Sequence, residues 1–472
     1  MQQIFRTKTK IVATLGPNSS DVSTIKKMLE SGLTVARVNM SHGDHETHAT
    51  VIKNARAAAK QAKRALAILQ DLSGPKIRIG DFSTEEVTLL PGKRITLTTK
   101  KCVGTVETVF VNYAKLPKEV KPGMRIFLND GKQRLLVDKV TETDIHTTIE
   151  IGGTIKGRRG VNIPDADLSI SSLTAKDKVD LKFGLEQEVD FVTLSFVRTA
   201  DDIHELRRLI SKESGVGIVA KIETKQAIEN LEAIVAAADA IMVARGDLAI
   251  ETPLEKVPLL QKRIIRIANY AGKPVITATQ MLDSMRISST PTRAEVADIA
   301  NAVLDGTDAL MLSDETAVGI HPEQAILTMS KVAKEIETDP YFINRTGNEL
   351  KISTICDAVT HSIAQSATQV DAKVIVALSE SGHTAHMIAR HRPNAPIFVL
   401  TPHQRTYNKM LLVFACEPII IKGVKDLNAA RTVAHKIVTA SGIAKQGDSF
   451  ILGAGIPFGS AGATNTMLIE RL

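Results

Sequence analysis

Lys221, Glu223 and Asp247 stand at the ends of two apolar, strand-like runs, GIVAKIE at 217–223 and AIMVARGD at 240–247. Two carboxylates and a cation at the mouths of successive strands suit a hard divalent ion. Mg2+ fits that set best, because it keeps open positions for phosphate oxygens and rarely sits in an all-protein cage; the ion would be shared with a phosphorylated substrate. An isolated acidic pair after a strand can also cap a helix or sit in a surface loop. The company of this pair favours a site: the next two runs end in Thr279 and in Ser313 with Glu315.

The elements that must position these residues repeat at a steady interval. Strand-like runs occur at KIVATL, VARVNM (35–40), ALAILQDL (65–72), DFVTLSF (190–196), GIVAKIE, AIMVAR, PVITAT (274–279) and ALMLS (309–313). Stretches of helical periodicity lie beside them, such as ADDIHELRRLISK at 200–212 and RAEVADIANAVLDG at 293–306. Eight βα units close naturally into a parallel (β/α)8 barrel. A doubly wound open sheet is the alternative, and it would gather ligands at one switch point instead of many strand ends.

In a barrel the strand C-termini converge. They bring together Arg37, Asn39 and Ser41 after the second strand, Asp71 after the third and Ser195 after the fourth. Lys221, Glu223, Asp247, Thr279, Ser313 and Glu315 complete the ring. The set offers carboxylates for a metal, a lysine beside it, arginine for phosphate and hydroxyls that could relay a proton. No Ser-His-Asp or Cys-His arrangement and no GxxxxGK[ST] run is present. Phosphoryl transfer depends on positioning and on neutralising charge more than on a nucleophile, so the residues suit that reaction class.

Between the third and fourth runs the texture changes. Residues 73–167 alternate as short strands (EEVTLLPGKRITLTTK, MRIFLNDGKQRLLVDKV) broken by Pro-Gly and Asp-Gly turns, which predicts an inserted all-β lid domain at the rim of the barrel. The barrel then comprises 1–72 and 168–345, and 346–472 forms a separate α/β domain with strands KVIVALS, PIFVLTP, EPIIIK and DSFILGAG. The chain of 472 residues, 43% hydrophobic, is long enough for several cores. With no Trp and 3% aromatic residues it lacks base-stacking surfaces, so its net charge of +7 reads as attraction for anionic metabolites or as a merely basic surface, not as a nucleic-acid footprint. Cys102, Cys356 and Cys416 are scattered and odd in number, which implies a reducing, cytoplasmic setting. The opening MQQIFRTKTKIVATLG has no signal-peptide pattern, and no run is long and charge-free enough to span a bilayer.

The motifs KTKIVATLGP, ARVNMSHG, LQDLSGPKIR, KIE, MVARGDLA, TATQMLDSM, TRAEVADIANAVLDGTDALMLSDETA and GATNT closely resemble the pyruvate kinase family, over almost the whole chain and in the family's order. The resemblance implies a TIM barrel with an inserted β-barrel lid and a C-terminal effector and assembly domain, with transfer of the phosphoryl group of phosphoenolpyruvate to ADP in glycolysis. It implies that Glu223 and Asp247 hold Mg2+ (or Mn2+), that Lys221 is the electrophilic catalyst, and that Thr279, with Ser313 and Glu315 behind it, orients the proton relay to the enolate of pyruvate. Arg37 and Arg78 would contact phosphate, and Asn39, His42 and Arg159 would lie on the nucleotide side. Ser195 and the N–H groups around Gly246 would face the substrate; a helix starting there suits its carboxylate. A homotetramer is also implied. Other phosphoenolpyruvate- or pyruvate-handling barrels, and a catalytically silent relative, are the competing readings.

Several positions depart from the family pattern. Ala249 and Asp314 replace glycines, Arg158 and Arg159 replace lysines before GVN, and Asn129 replaces an acid. Lys76 stands where members that require a monovalent cation carry Glu; their K+ is held by groups matching Asn39, Ser41, Asp71 and the carbonyl of Leu72. A fixed ammonium near Asp71, with which it could pair, is expected to replace that ion, so that K+ is not required. In SESGHTA, a turn between a strand and a helical pattern, Ser379, Ser381 and Thr384 are expected to bind the phosphate of an allosteric effector.

Overall fold

A computed structural model of the chain describes residues 7–339, 352–457 and 464–472. Eight parallel strands close into a barrel: Lys10–Thr14, Val35–Asn39, Ala67–Asp71, Phe191–Leu194, Gly217–Ile222, Ala240–Ala244, Val275–Ala278 and Ala309–Leu312. The first pairs with both the second and the eighth, Lys10 beside Ala309 and Thr14 beside Arg37, which excludes the open sheet. Their Val, Ile, Leu and Ala side chains are buried on both faces, as a covered parallel sheet demands.

Alternation along each strand sorts the core into two layers. Val35, Leu69, Val219, Met242 and Met311 fill the barrel interior, while Ala36, Ile68, Ile218, Ile241 and Leu310 face the surrounding helices. Side chains two residues apart share a face. The interior columns therefore run upward from Val35 to Arg37 and Asn39, from Leu69 to Asp71, from Val219 to Lys221 and Glu223, and from Met311 to Ser313. At the opposite end, Leu411 and Leu412 of the C-terminal unit pack into the interior cluster and plug the barrel floor. The buried Arg392–Asp308 pair, 2.9 Å, fastens the same junction.

Between the third and fourth barrel strands lies a six-stranded sheet together with a two-stranded ribbon, Glu86–Leu89 with Gly153–Lys156. Isolated bridges, Arg78 with Gly160, Ile79 with Val111 and Phe82 with Gly104, tie the ends of this lid together. In the hairpin joining Arg125–Leu128 to Gln133–Val140, Asn129, Asp130 and Gly131 all have left-handed φ, of 53°, 57° and 81°. Asn and Asp tolerate that conformation better than most residues, so Asn129 is compatible with the turn.

The C-terminal sheet has five strands, in the order Cys416–Ile420, Ile397–Thr401, Ile375–Leu378, Ser449–Gly455, Thr464–Arg471. The last runs antiparallel and has no counterpart in the sequence reading. Its side chains are mostly half-exposed or exposed, so it carries no long apolar signal. The expected division at 345/346, and Gly462 and Ala463 of GATNT, lie outside the described residues. Among the described residues no helix is long and apolar enough to cross a membrane.

Candidate active site

Lys221 lies on the interior column of the fifth strand with its ammonium nearly enclosed. Its Nζ is 3.2 Å from Glu223 Oε2 and donates to Ser195 Oγ at 2.9 Å. Ser195 Oγ in turn donates to the Leu72 carbonyl at 2.8 Å. Burial alone would lower the lysine pKa, but Asp71, Glu223 and Asp247 outweigh it and hold the ammonium firmly charged.

Glu223 is fully buried. Its Oε1 accepts the Phe196 N–H at 2.9 Å, while Oε2, 3.2 Å from Lys221 Nζ, has no hydrogen-bond partner among the described residues. Burial pushes its carboxyl up, Lys221 pulls it down, and Asp247 is close enough to push it up again. Asp247 sits in the first turn of the helix Arg245–Glu251, which follows the sixth strand directly. Two carboxylates that repel each other, one with an orphaned buried oxygen, fit a divalent cation. Among the described residues no group of three or more His, Cys, Asp or Glu side chains could cage an ion alone. That matches an ion completed by substrate oxygens and water.

Arg37 and Asp71 occupy neighbouring strands and form a buried pair. Arg37 Nε and Nη2 approach Asp71 Oδ2 at 2.8 and 2.6 Å, and Nη1 donates to Thr14 Oγ1 at 2.7 Å. Burial favours the neutral form of Asp71, yet Lys221 and Arg37 together hold its pKa below the ordinary value. The expected Lys76–Asp71 pairing is not formed. Lys76 is exposed, and Asp71 is paired with Arg37, which is two residues from the end of the next strand and already interior-facing. Lys76 adds only a weaker, through-space contribution to Asp71. Its loop is set by Gly74, at φ +66°, where a Cβ would stand 2.9 Å from both Ser195 and Phe196. Of the groups matching the monovalent-cation ligands, Asn39 Oδ1 accepts the Ser41 N–H at 3.1 Å and the Leu72 carbonyl accepts from Ser195. Asp71 Oδ1 is buried without a hydrogen-bond partner among the described residues.

Thr279 follows Ala278 on the seventh strand, and continued alternation would turn it out of the barrel. Instead Thr279 and Gln280 both adopt left-handed backbone, φ +72° and +54°. For a β-branched residue this costs on the order of 1–3 kcal/mol and marks a position held by its surroundings. The hydroxyl donates to the Ala278 carbonyl at 2.6 Å and accepts the Gly246 N–H at 2.9 Å. Gly246 thus spends its N–H on Thr279, and the next N–H groups of the helix follow it.

Glu315 is buried, and burial pushes its carboxyl up. Its oxygens accept backbone N–H groups, from Ser313 at 2.7 Å and Leu282 at 3.2 Å, so it braces the loops after the seventh and eighth strands. Asp314 is exposed in the first turn of a short helix, while Ala249 lies within a helix, and neither has a left-handed φ. Both replacements of glycine are thereby accommodated.

The cleft between lid and barrel is lined by Lys76, Arg78, Asn162, Asp247 and Glu251, among others. Arg78 donates to the Arg158 carbonyl at 2.8 Å, Arg158 pairs with Asp81 at 2.9 Å, and Arg159 and His42 are exposed. Sequence reasoning missed Glu251 and the side chain of Arg245. Glu251 accepts from Asn162 of the lid at 3.1 Å and is pushed up to about 7, mainly by burial. Four residues after Asp247 on one helix, it was within reach of an i, i+4 argument. In the C-terminal unit, Ser379 is buried at a strand end, Ser381 is exposed, and Thr384 Oγ1 lies 2.8 Å from Thr464 Oγ1.

A closed (β/α)8 barrel with an inserted β lid, and with carboxylates and a fixed ammonium at its mouth, suits a phosphotransferase. Residues 6–326 match the model of the pyruvate kinase barrel domain, and 357–470 that of the pyruvate kinase alpha/beta domain. The chain is 43% identical over 465 residues to a pyruvate kinase of Thermotoga maritima, covering 98% of this chain and 99% of that protein. It is 41% identical over 472 residues to one of Geobacillus stearothermophilus, covering 99% of this chain and 80% of that protein. The chain belongs to the pyruvate kinase family. Its activity is transfer of the phosphoryl group of phosphoenolpyruvate to ADP, giving pyruvate and ATP; the family generally uses Mg2+ and K+.

Proposed function

We propose that this chain runs the family reaction with Lys221 as the electrophile, Glu223 and Asp247 as the ligands of Mg2+ (or Mn2+), and Thr279 as the group that orients the proton relay. The observation that carries this reading is the enclosure of Lys221 among Asp71, Glu223 and Asp247, which keeps a full positive charge in a low-dielectric site. A bound Mg2+ supplies charge neutralisation and polarisation at the phosphoryl oxygens. Lys221 adds a cation aimed where negative charge grows during transfer, and Ser195 holds its ammonium in place. Arg37, fixed by Asp71 and Thr14, presents its remaining N–H groups to phosphate. Asn39, His42, Arg78 and Arg159 border the nucleotide. After transfer, the enolate of pyruvate takes a proton on carbon. Thr279 is too weak an acid to supply it alone and orients the donor, with Ser313 and the loop braced by Glu315 beside it.

Activity without K+ is part of the proposal, with Lys76 supplying positive charge at the mouth of the third strand. So are a cytoplasmic homotetramer and an effector site at Ser379, Ser381 and Thr384 for a sugar phosphate or nucleoside monophosphate. The left-handed Gly382, φ +89°, shapes that turn, and the exposed Ser381 hydroxyl is its most accessible donor. A coupled assay for pyruvate formed from phosphoenolpyruvate, ADP and Mg2+ tests the core reading; no turnover would favour the silent relative. If no phosphometabolite shifts the substrate saturation curve, or Ser381→Asp leaves such a shift unchanged, the effector assignment is wrong.

A further inference from the structure

Arg245 opens the helix that carries Asp247, yet its side chain reaches back to the end of the seventh strand. Its guanidinium donates to two successive carbonyls, Nε to Ala278 at 3.1 Å and Nη2 to Thr279 at 2.7 Å. Nη2 also contacts Met281 Sδ at 2.8 Å. On its other side Nη1 is anchored by Asp298 Oδ1 at 2.6 Å and lies 3.4 Å from Gln261 Oε1. The carbonyls it grips flank the residue held at φ +72°. The next residue along the chain, Gly246, gives its N–H to the hydroxyl of that same threonine. One short segment thus holds Thr279 at both ends, backbone through the Arg245 side chain and hydroxyl through the Gly246 amide.

From this geometry we propose that Arg245 is a positioning residue for Thr279, holding its backbone in the left-handed conformation that aims the hydroxyl into the site. The inference rests on the reading of Thr279 as part of the proton relay. A planar fork with several fixed donors can bind two adjacent carbonyls and a carboxylate at once, whereas an ammonium cannot reproduce that pattern. Without the fork, the strain at Thr279 relaxes by returning the backbone to an extended conformation, and the hydroxyl swings away from Gly246. Lys221, Glu223 and Asp247 are left in place, so phosphoryl transfer suffers less than proton delivery to carbon.

The test compares two half-reactions in the full-length enzyme with Mg2+. Exchange of pyruvate methyl protons with solvent in the presence of ATP reports the relay, and single-turnover phosphoryl transfer from phosphoenolpyruvate to ADP reports the other half. Arg245→Gln is expected to slow exchange by roughly 100-fold and transfer by less than about tenfold, the scale that misplacing a reacting group by about 1 Å produces. Arg245→Lys behaves like Arg245→Gln in exchange, since charge alone does not restore the fork. Free guanidinium added to Arg245→Ala recovers exchange more than ammonium does. If Arg245→Gln fails to fold, Asp298→Asn, which keeps the fork and loosens its anchor, gives the same selectivity at smaller size. Equal loss in both half-reactions, loss in neither, or full recovery with Lys overturns the proposal. Thr279→Val separates the two claims: if it spares exchange, the relay reading of Thr279 fails; if it abolishes exchange while Arg245→Gln does not, only the positioning role fails.

Discussion

Lys221 and Glu223 sit two residues apart on one interior column, Nζ 3.2 Å from Oε2, and that carboxylate oxygen has no hydrogen-bond partner among the described residues. Asp71 and Asp247 act on the lysine together with Glu223 and keep its ammonium charged despite burial.

Lys221→Met is therefore expected to lower turnover by several powers of ten while leaving substrate saturation nearly unchanged, since the charge acts on the transition state. Steady-state kinetics with saturating Mg2+ decides it. Turnover within about tenfold of the parent, about 1.4 kcal/mol, contradicts the electrophile role.

Removing the carboxylate of Asp71 strips the partner from buried Arg37 and one counter-charge from Lys221. Breaking a buried pair on one side costs about 3–5 kcal/mol, so Asp71→Ala should unfold at distinctly lower urea concentration than the parent. Asp71→Leu combined with Arg37→Met should recover part of that loss. A double variant less stable than Asp71→Ala would show that the pair is not the source of the cost.

Glu251, with its carboxyl pushed up to about 7 in the fold against 4.5 as the ordinary value, titrates in a window where the folded chain binds more protons than the unfolded one. The sign follows: this group makes the metal-free protein less stable as pH rises from about 4.5 to about 7, with no further loss above. Glu251→Gln retains an acceptor for Asn162 and should flatten that slope. A stability difference between parent and variant that stays constant from about pH 5 to about pH 8 contradicts the assignment.

Lys76 should make K+ dispensable. Replacing a bulky organic cation by K+ at constant ionic strength is expected to change turnover little, and Lys76→Glu should create K+ dependence. The unpartnered Oδ1 of Asp71 is the acceptor that would meet the ion in that variant. Stimulation of the parent by more than roughly tenfold sinks the proposal.

Alternating apolar runs and the residues at their ends were enough to place Arg37, Asp71, Ser195, Lys221, Glu223 and Ser313 at one mouth of a barrel, because strand periodicity is a property of the chain itself. The inserted lid was legible for the same reason, from short strands and tight turns. The antiparallel strand Thr464–Arg471 was not, since half-exposed side chains leave no periodic trace. Pairings were decided by tertiary structure alone. Asp71 meets Arg37 and not Lys76 because the second and third strands are neighbours in register, Asn39 beside Asp71, while Lys76 lies beyond a turn in solvent. Thr279 is left-handed because Arg245 and Gly246, 34 and 33 residues away, hold it so. Glu251 has its carboxyl pushed up to about 7 because packing buries it, with Asn162 of the lid as its hydrogen-bond donor. A sequence sets which groups each strand can offer. The charge state and strain of those groups depend on the desolvation and contacts that only packing supplies.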